Sequence, residues 1–381
     1  MTDLTMSSVQ TKDELFEFIS FPWEVYKDNS YWVPPLISER KEFLDTEENP
    51  FFEHATAEYF IARRGDKVVG TIAALTNDKY NEFQKTNVGF FGFFEVLDDS
   101  EAAERLFSTA IDWARKAGHD SIIGPVQFST NDEVGLLMDG FDDRPRILMT
   151  YNPPRYLEYY ENAGLQKAMD LWAYKLTLGD FLANIPEKLV RVLDKVRKRK
   201  NFRIRTVNLK DFDAEVERIK KIYNKSWERN WGFVPMTDRE FYKLAKDIKP
   251  LIDPEIMLVV EKDGEMVGFA LSLPDLNQPL HLAYPKPGGL EQLTMLKLIW
   301  HWKLRKRVDW IRVPLLGVLP EHRGSGVDAM LYLETIKAAA KQGYKMAEGS
   351  WVLENNVMMN RAVRSIGGKV YKTYRMFEKK L

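Results

Sequence analysis

Residues 315–327 read Leu-Leu-Gly-Val-Leu-Pro-Glu-His-Arg-Gly-Ser-Gly-Val, an apolar run that breaks into a glycine-spaced turn. A helix follows: Ala329, Met330, Leu333, Ile336 and Ala340 share one face, Glu334, Lys337 and Lys341 another, and Gly343 is placed to end it. Backbone N–H groups at such a turn and at the helix start converge on one concavity of partial positive charge, which suits a diphosphate.

Three kinds of phosphate ligand compete for the turn. A Walker loop needs Gly-Lys-Ser/Thr, and no lysine follows Gly326. A dinucleotide fingerprint is spelled by Gly324, Gly326 and Ala329, with Glu348 lying 348 − 326 = 22 positions on. Against it, Pro320 to Arg323 separate the glycines from the apolar run, and only 381 − 326 = 55 residues remain for further βαβ units.

Glu321-His-Arg-Gly-Ser-Gly326 resembles motif A of the GCN5-related N-acetyltransferases (GNAT), Q/R-x-x-G-x-G/A after the fourth strand. The resemblance implies an acyl-coenzyme A pyrophosphate held at Arg323, Gly324, Ser325, Gly326 and Val327, with Gly317 and Val318 lining the pantetheine arm. The order of elements agrees. A helix is expected over 212–231, and a hairpin at Lys262-Asp-Gly-Glu265 joins Ile256–Glu261 to Met266–Leu273. Then come an amphipathic segment near 290–308, the motif strand and helix, a strand near 344–352, a helix near 357–366 and a last strand near 370–377. Asn356 and the close at Ser365-Ile-Gly-Gly368 resemble the family's "N…YEKLGF" ending. Val363 stands where many members carry an acid tyrosine, and Asp328 where a third glycine is common.

The first half repeats the scheme. Asn29–Pro34 echoes Asn230–Pro235 (230 − 29 = 201), the turn ending at Gly70 echoes that ending at Gly268 (268 − 70 = 198), and Gly164 echoes Gly367 (367 − 164 = 203). Near-equal offsets in one order argue for duplication. Where the first half should hold a diphosphate it reads Glu95-Val-Leu-Asp-Asp-Ser-Glu101, without glycine and with four acidic residues, so charge should repel coenzyme A there. It keeps Tyr160 at the acid-tyrosine position. The expected fold is α/β, two tandem GNAT folds with mixed, mostly antiparallel sheets flanked by helices: a degenerate domain over 1–180, a basic linker or helix over 181–206 and a coenzyme-binding domain over 207–381.

Net charge is −1 over 381 residues, which provides no general field for nucleic acid. Absence of cysteine excludes disulfides, thiolate metal sites and cysteine nucleophiles, and suits a reducing cytoplasm. No signal peptide or membrane span is apparent, so a cytoplasmic protein without a membrane partner is expected. One basic run, Lys195, Arg197, Lys198, Arg199, Lys200, Arg203 and Arg205, reads as a solvated helix and linker, with the coenzyme's 3′-phosphate or RNA as functional readings. Lys303, Arg305, Lys306 and Arg307 read likewise, at the end of a helix whose apolar side includes Leu296, Ile299 and Trp300.

For chemistry, the acceptor amine must lose a proton as it attacks the thioester. Alternation on the strand aims Glu348 either at the cleft, as the base, or outward into solvent. Tyr223 and Trp227, four apart, suit core packing, whereas Trp231 and Phe233 beside Gly232 and Pro235 suit an acceptor wall. Asn131 and Glu133 in Ser129–Gly135 are candidate acceptor contacts. The resulting expectation is an acyltransferase moving an acyl group, most simply acetyl, from acetyl-CoA or another acyl-CoA to a small-molecule or peptide amine, with no metal. Transfer from aminoacyl-tRNA, a silent acyl-CoA sensor and, last, a dinucleotide enzyme are the alternatives.

Overall fold

The computed structural model describes residues 3–185 and 187–381, the side chains of residues 188, 189 and 199 excepted. Two compact units divide the chain: Met1–Leu171, Pro279–Leu304 and Lys372–Leu381 form the first, Trp172–Gln278 and Arg305–Tyr371 the second.

The first unit is built on β1 (Leu4–Ser8), β2 (Ala55–Arg64), β3 (Lys67–Asn77), β4 (Val88–Val96) and β5 (Ser121–Gly124), neighbours in that order. β1 to β4 are antiparallel and β4 to β5 parallel. β6 (Leu136–Asp139) lies off this path, and β7 (Gln166–Thr177) begins in the first unit and ends in the second. The helix Ser100–Lys116 starts at Asp99, whose carboxylate accepts from Ala102 N at 3.0 Å, and it buries Ala102, Ala103, Leu106, Phe107, Ala110, Ile111 and Ala114. That spacing is one apolar helical stripe, and it packs with Ile72, Phe91, Phe94 and Tyr160 in a single core.

The second unit repeats this order with β8 (Phe202–Thr206), β9 (Leu258–Lys262), β10 (Glu265–Pro274), β11 (Trp310–Val318) and β12 (Met346–Leu353). β8 to β11 are antiparallel and β11 to β12 parallel. β13 (Lys369–Lys380) begins in the second unit and ends in the first, where Phe377–Lys380 pairs with β5. The duplicated order is therefore visible element by element: helices start at Ser100 and Val327, the parallel strands at Ser121 and Met346 (346 − 121 = 225), and β7 and β13 at Gln166 and Lys369 (369 − 166 = 203).

Of the basic run, Lys195, Arg197 and Lys198 are exposed on the helix Glu187–Arg199, the side chain of Arg199 lying outside the described residues. Arg203 and Arg205 fall in β8, and Arg205 is an internal tie, bonded to Glu215 and Glu261. The amphipathic segment forms the helix Glu291–Ile299 and a π-helical turn, Trp300–Leu304, and its apolar Leu296, Ile299 and Trp300 are exposed.

Candidate functional site

Parallel pairing of β11 with β12 runs from Trp310 opposite Met346 to Val313 opposite Gly349. Pro314 comes next, and with no N–H it cannot continue the ladder. β11 stays registered with β10 as far as Val318, five residues past its last rung with β12 (318 − 313 = 5), and the Val318 carbonyl accepts from Ser226 Oγ at 3.1 Å. Behind this stretch, a Cβ built on Gly317 would come within 2.7 Å of Trp227 Cζ3 and 2.9 Å of Phe269 Cε1, so the glycine lets the strand lie flat on two aromatic rings.

Beyond the strand, Pro320–His322 makes one 3₁₀ turn, and Gly324 (φ 68°) and Gly326 (φ 93°) take left-handed conformations that favour glycine. Gly326 is the N-cap of the helix Val327–Lys341 and supplies no side chain to its first N–H groups. A Cβ on Gly324 would meet nothing within 4 Å. Ser325 Oγ donates to the His322 carbonyl at 2.6 Å, and Arg323 donates to the Ser226 carbonyl at 2.9 Å, tying the turn to the helix Phe212–Trp227. Val327 is fully buried. The basic helix Glu187–Arg199 packs here: a Cβ on Gly326 would lie 3.4 Å from Val196 Cγ1. His322 meets Phe202 edge to face at 6.1 Å.

In the first unit the corresponding places are filled by the chain itself. β4 pairs with β5 from Val88 to Phe90, and then Val126 crosses the gap, its N–H donating to Phe91 O at 2.9 Å. A Cβ on Gly92 would sit 1.6 Å from Val126 O. At the helix start, the Asp99 carboxylate occupies the anion position, and Arg64 pairs with both Asp99 and Glu101.

Glu348 lies on β12 opposite Arg312 and is fully buried, neither outward nor solvated. Its carboxylate accepts from Ser350 Oγ at 2.5 Å and from the Tyr371 hydroxyl, with Arg312 Nε at 3.9 Å. Arg312 also donates to Ser350 Oγ (2.8 Å) and Ser350 O (3.1 Å). Each carboxylate oxygen of Glu348 thus accepts one hydroxyl hydrogen bond within the core. Asn356 caps the helix Val357–Ser365, accepting from Met359 N at 3.2 Å. Phe233 is core, 5.7 Å from the Tyr223 ring, and Trp231 is half-buried beside it.

Tyr332 and Asn360 were missed in the sequence because neither falls in a motif. Tyr332, one turn into the helix after the loop, points its hydroxyl at Met359 Sδ, 2.6 Å away, and Met359 precedes Val363 by one helical turn. Burial, then the Asp328 charge, push this hydroxyl well above the usual tyrosine range. Asn360 accepts from Tyr174 OH at 2.9 Å and donates to Leu353 O and Glu354 O, joining the end of β12 to the helix after it.

The remaining candidates, Tyr160, Asn131 and Glu133, belong to the first unit. Tyr160 is buried among Phe91, Phe94, Phe107 and Phe377, and burial, then Glu95, push its hydroxyl far above the usual range. Tyr160 and Glu133 line a cavity of about 60 Å³ together with Glu95. Asn131 takes part in a local turn, its N–H donating to Ser129 Oγ. Glu95 was read in the sequence only as one repelling charge. It accepts from Tyr156 OH (2.8 Å) and Tyr26 OH (3.0 Å), and burial pushes its carboxyl up to about 8 against the pull of those bonds.

A parted pair of parallel strands followed by a glycine turn at a helix start, in a sheet repeated twice, defines a tandem acyl-coenzyme A transferase fold. Residues 216–365 match the Acetyltransferase (GNAT) family. The chain is 36% identical over 384 residues to the "Bacterial ceramide synthase" of Caulobacter vibrioides, covering 100% of this chain and 98% of that one. It is 33% identical over 374 residues to "Protein YghO" of Escherichia coli, covering 97% and 94%. Among solved structures, a tandem GNAT protein from the clavulanic acid biosynthesis pathway superposes with a TM-score of 0.57 at 12% identity, over 99% of this chain and 98% of that one. A GCN5-related N-acetyltransferase from Sphaerobacter thermophilus does so with 0.51 at 14%, over 99% and 95%. The chain belongs to the GNAT family and is an acyltransferase of it. No helix among the described residues is long and apolar enough to cross a membrane, and none of their His, Asp and Glu side chains group in threes about a metal position.

Two variants test these placements. Glu348→Gln removes the buried carboxylate that faces Arg312 and the Ser350 and Tyr371 hydroxyls and should lower unfolding free energy by about 3 kcal/mol in a urea titration. For Glu95, the folded state keeps a proton between the ordinary carboxyl value of 4.5 and about 8 that the unfolded chain releases. Its contribution is therefore full at low pH and is lost as pH rises through that window. Glu95→Gln should flatten the fall in stability from pH 5 to pH 8, read as urea midpoints, and equal slopes in both proteins would refute the assignment.

Proposed function

We propose that the second unit binds acyl-coenzyme A, with the diphosphate on the N–H groups of Gly324, Gly326 and Val327 and the pantetheine arm along Gly317 and Val318, and that the acyl group passes to the amine of a long-chain base. One observation carries the coenzyme assignment: of two equivalent helix starts, one is capped by its own Asp99 and the other opens on Gly326 with no cap. Lys195, Arg197 and Lys198, exposed on the helix packed against Gly326, supply positive charge for the further phosphate of the coenzyme. The long-chain amine is supported by similarity along the whole chain to a protein named ceramide synthase, since a ceramide is the amide of a fatty acid and a long-chain base.

In the reaction the amine nitrogen attacks the thioester carbon, the C–N bond forms as the C–S bond breaks, nitrogen gives up a proton, and the departing sulfur is protonated to the free thiol. Tyr332, still protonated at neutral pH and already directed at a sulfur atom, donates a hydrogen bond to the departing sulfur in place of the tyrosine that Val363 lacks. Glu348 acts as a positioning residue, fixing Arg312 and so β11 just before the strands part.

The chain has no cysteine, so thiol release can be read without protein background. Incubation with long-chain acyl-CoA should liberate free coenzyme A when a long-chain amine such as sphinganine is added. No release, or equal rates with short polar amines, would overturn the acceptor assignment. Gly326→Asp, which puts a carboxylate beside the proposed diphosphate, should weaken acyl-CoA binding about tenfold or more in calorimetry. Tyr332→Phe should lower kcat by roughly 10- to 100-fold with little change in KM; unchanged kcat would remove Tyr332 from the chemistry.

A further inference from the structure

The helix Glu291–Ile299 and the π-helical turn Trp300–Leu304 carry their apolar side outward. Leu293, Leu296, Trp300 and Leu304, spaced by three, four and four, form one stripe, with exposures of 53%, 63%, 43% and 72%. Met295 and Ile299 extend it on one side, and Leu290, at the N-cap, is 69% exposed. Only Leu298, on the opposite face, is buried. At its start the helix is tied to its own unit, for Ser38 donates to Glu291 through both N–H and Oγ, and Trp23 Nε1 donates to Pro285 O at 2.8 Å. A soluble surface rarely shows so many large apolar side chains together.

Charge identifies what covers them. From 286 to 304, within the first unit, the chain has three basic residues, Lys286, Lys297 and Lys303, and one acidic, Glu291, for a balance of 3 − 1 = +2. Lys286, Lys297 and Lys303 are exposed beside the stripe, and Glu291 is engaged by Ser38. A second copy seated on this face by two-fold symmetry would bring like charges together. An anionic bilayer answers both features: acyl chains take the leucines, headgroups take the lysines, and Trp300 sits at the boundary.

We infer that residues 290–304 form an interfacial helix that docks this protein on the surface of an anionic phospholipid membrane without crossing it. Docking does not depend on the identity of the acyl acceptor, yet it would bring the enzyme to a leaflet where long-chain substrates reside.

The test is flotation of the full chain with phosphatidylcholine vesicles, with and without phosphatidylglycerol. The protein should float with the anionic vesicles, and salt should weaken this. Leu293→Glu combined with Leu296→Glu, both solvent-facing, should leave the melting temperature unchanged and reduce binding about tenfold or more. Lys297→Glu with Lys303→Glu should remove mainly the part that depends on phosphatidylglycerol. Absence of flotation, or equal flotation of the leucine variant, overturns the inference. So does a dimer in solution that the leucine variant splits while neither protein binds vesicles, because a second copy would then cover the face.

Discussion

β11 and β12 pair in parallel over four residues and then part where Pro314 has no hydrogen to give the ladder. Everything proposed for the second unit follows from that separation. Past it, Gly317 and Val318 keep their register with β10, and the strand ends in a turn whose two left-handed glycines deliver the chain to a helix with no side-chain cap. Buried Arg312 and Glu348, facing one another in the last paired rungs, hold the strands together immediately before they diverge. Ser350 donates to Glu348 and accepts from Arg312, and Tyr371 donates to Glu348, so the buried charges are hydrogen-bonded within the core.

The first unit shows the same backbone scheme with these places filled. Its strands also part, but Val126 lies in the opening close to Gly92, and Asp99 satisfies the helix start. An anion would have to compete with a carboxylate already in place and already paired with Arg64. What the opening retains is a small cavity around Glu95, where burial favours the protonated acid and two tyrosines donate to it. The duplication has thus left one open cradle and one internal polar pocket.

The exposed apolar segment at 290–304 places a second demand on the chain. The turn at 320–327 is proposed to take a soluble coenzyme and the stripe at 290–304 to meet lipid, and both are displayed by short helical pieces next to glycine or π-helical irregularities. Helix periodicity alone would be satisfied by burying Leu293 and Leu296; their exposure is a property of the folded unit.

Local patterns in the sequence determined the glycine turn, its strand and helix, the hairpin at Asp263-Gly264 and the duplication, because each depends on neighbours in the chain or on a spacing that repeats. The same patterns left Glu348 between cleft and solvent, since a two-residue alternation names two faces without saying what covers either. Tertiary structure alone decided that Glu348 meets Arg312, that Tyr160 and Phe233 are core, that Tyr332 reaches Met359, and that the apolar side of residues 290–304 is exposed. Those are contacts between segments far apart in sequence, and burial, charge pairing and exposure arise only when such segments meet.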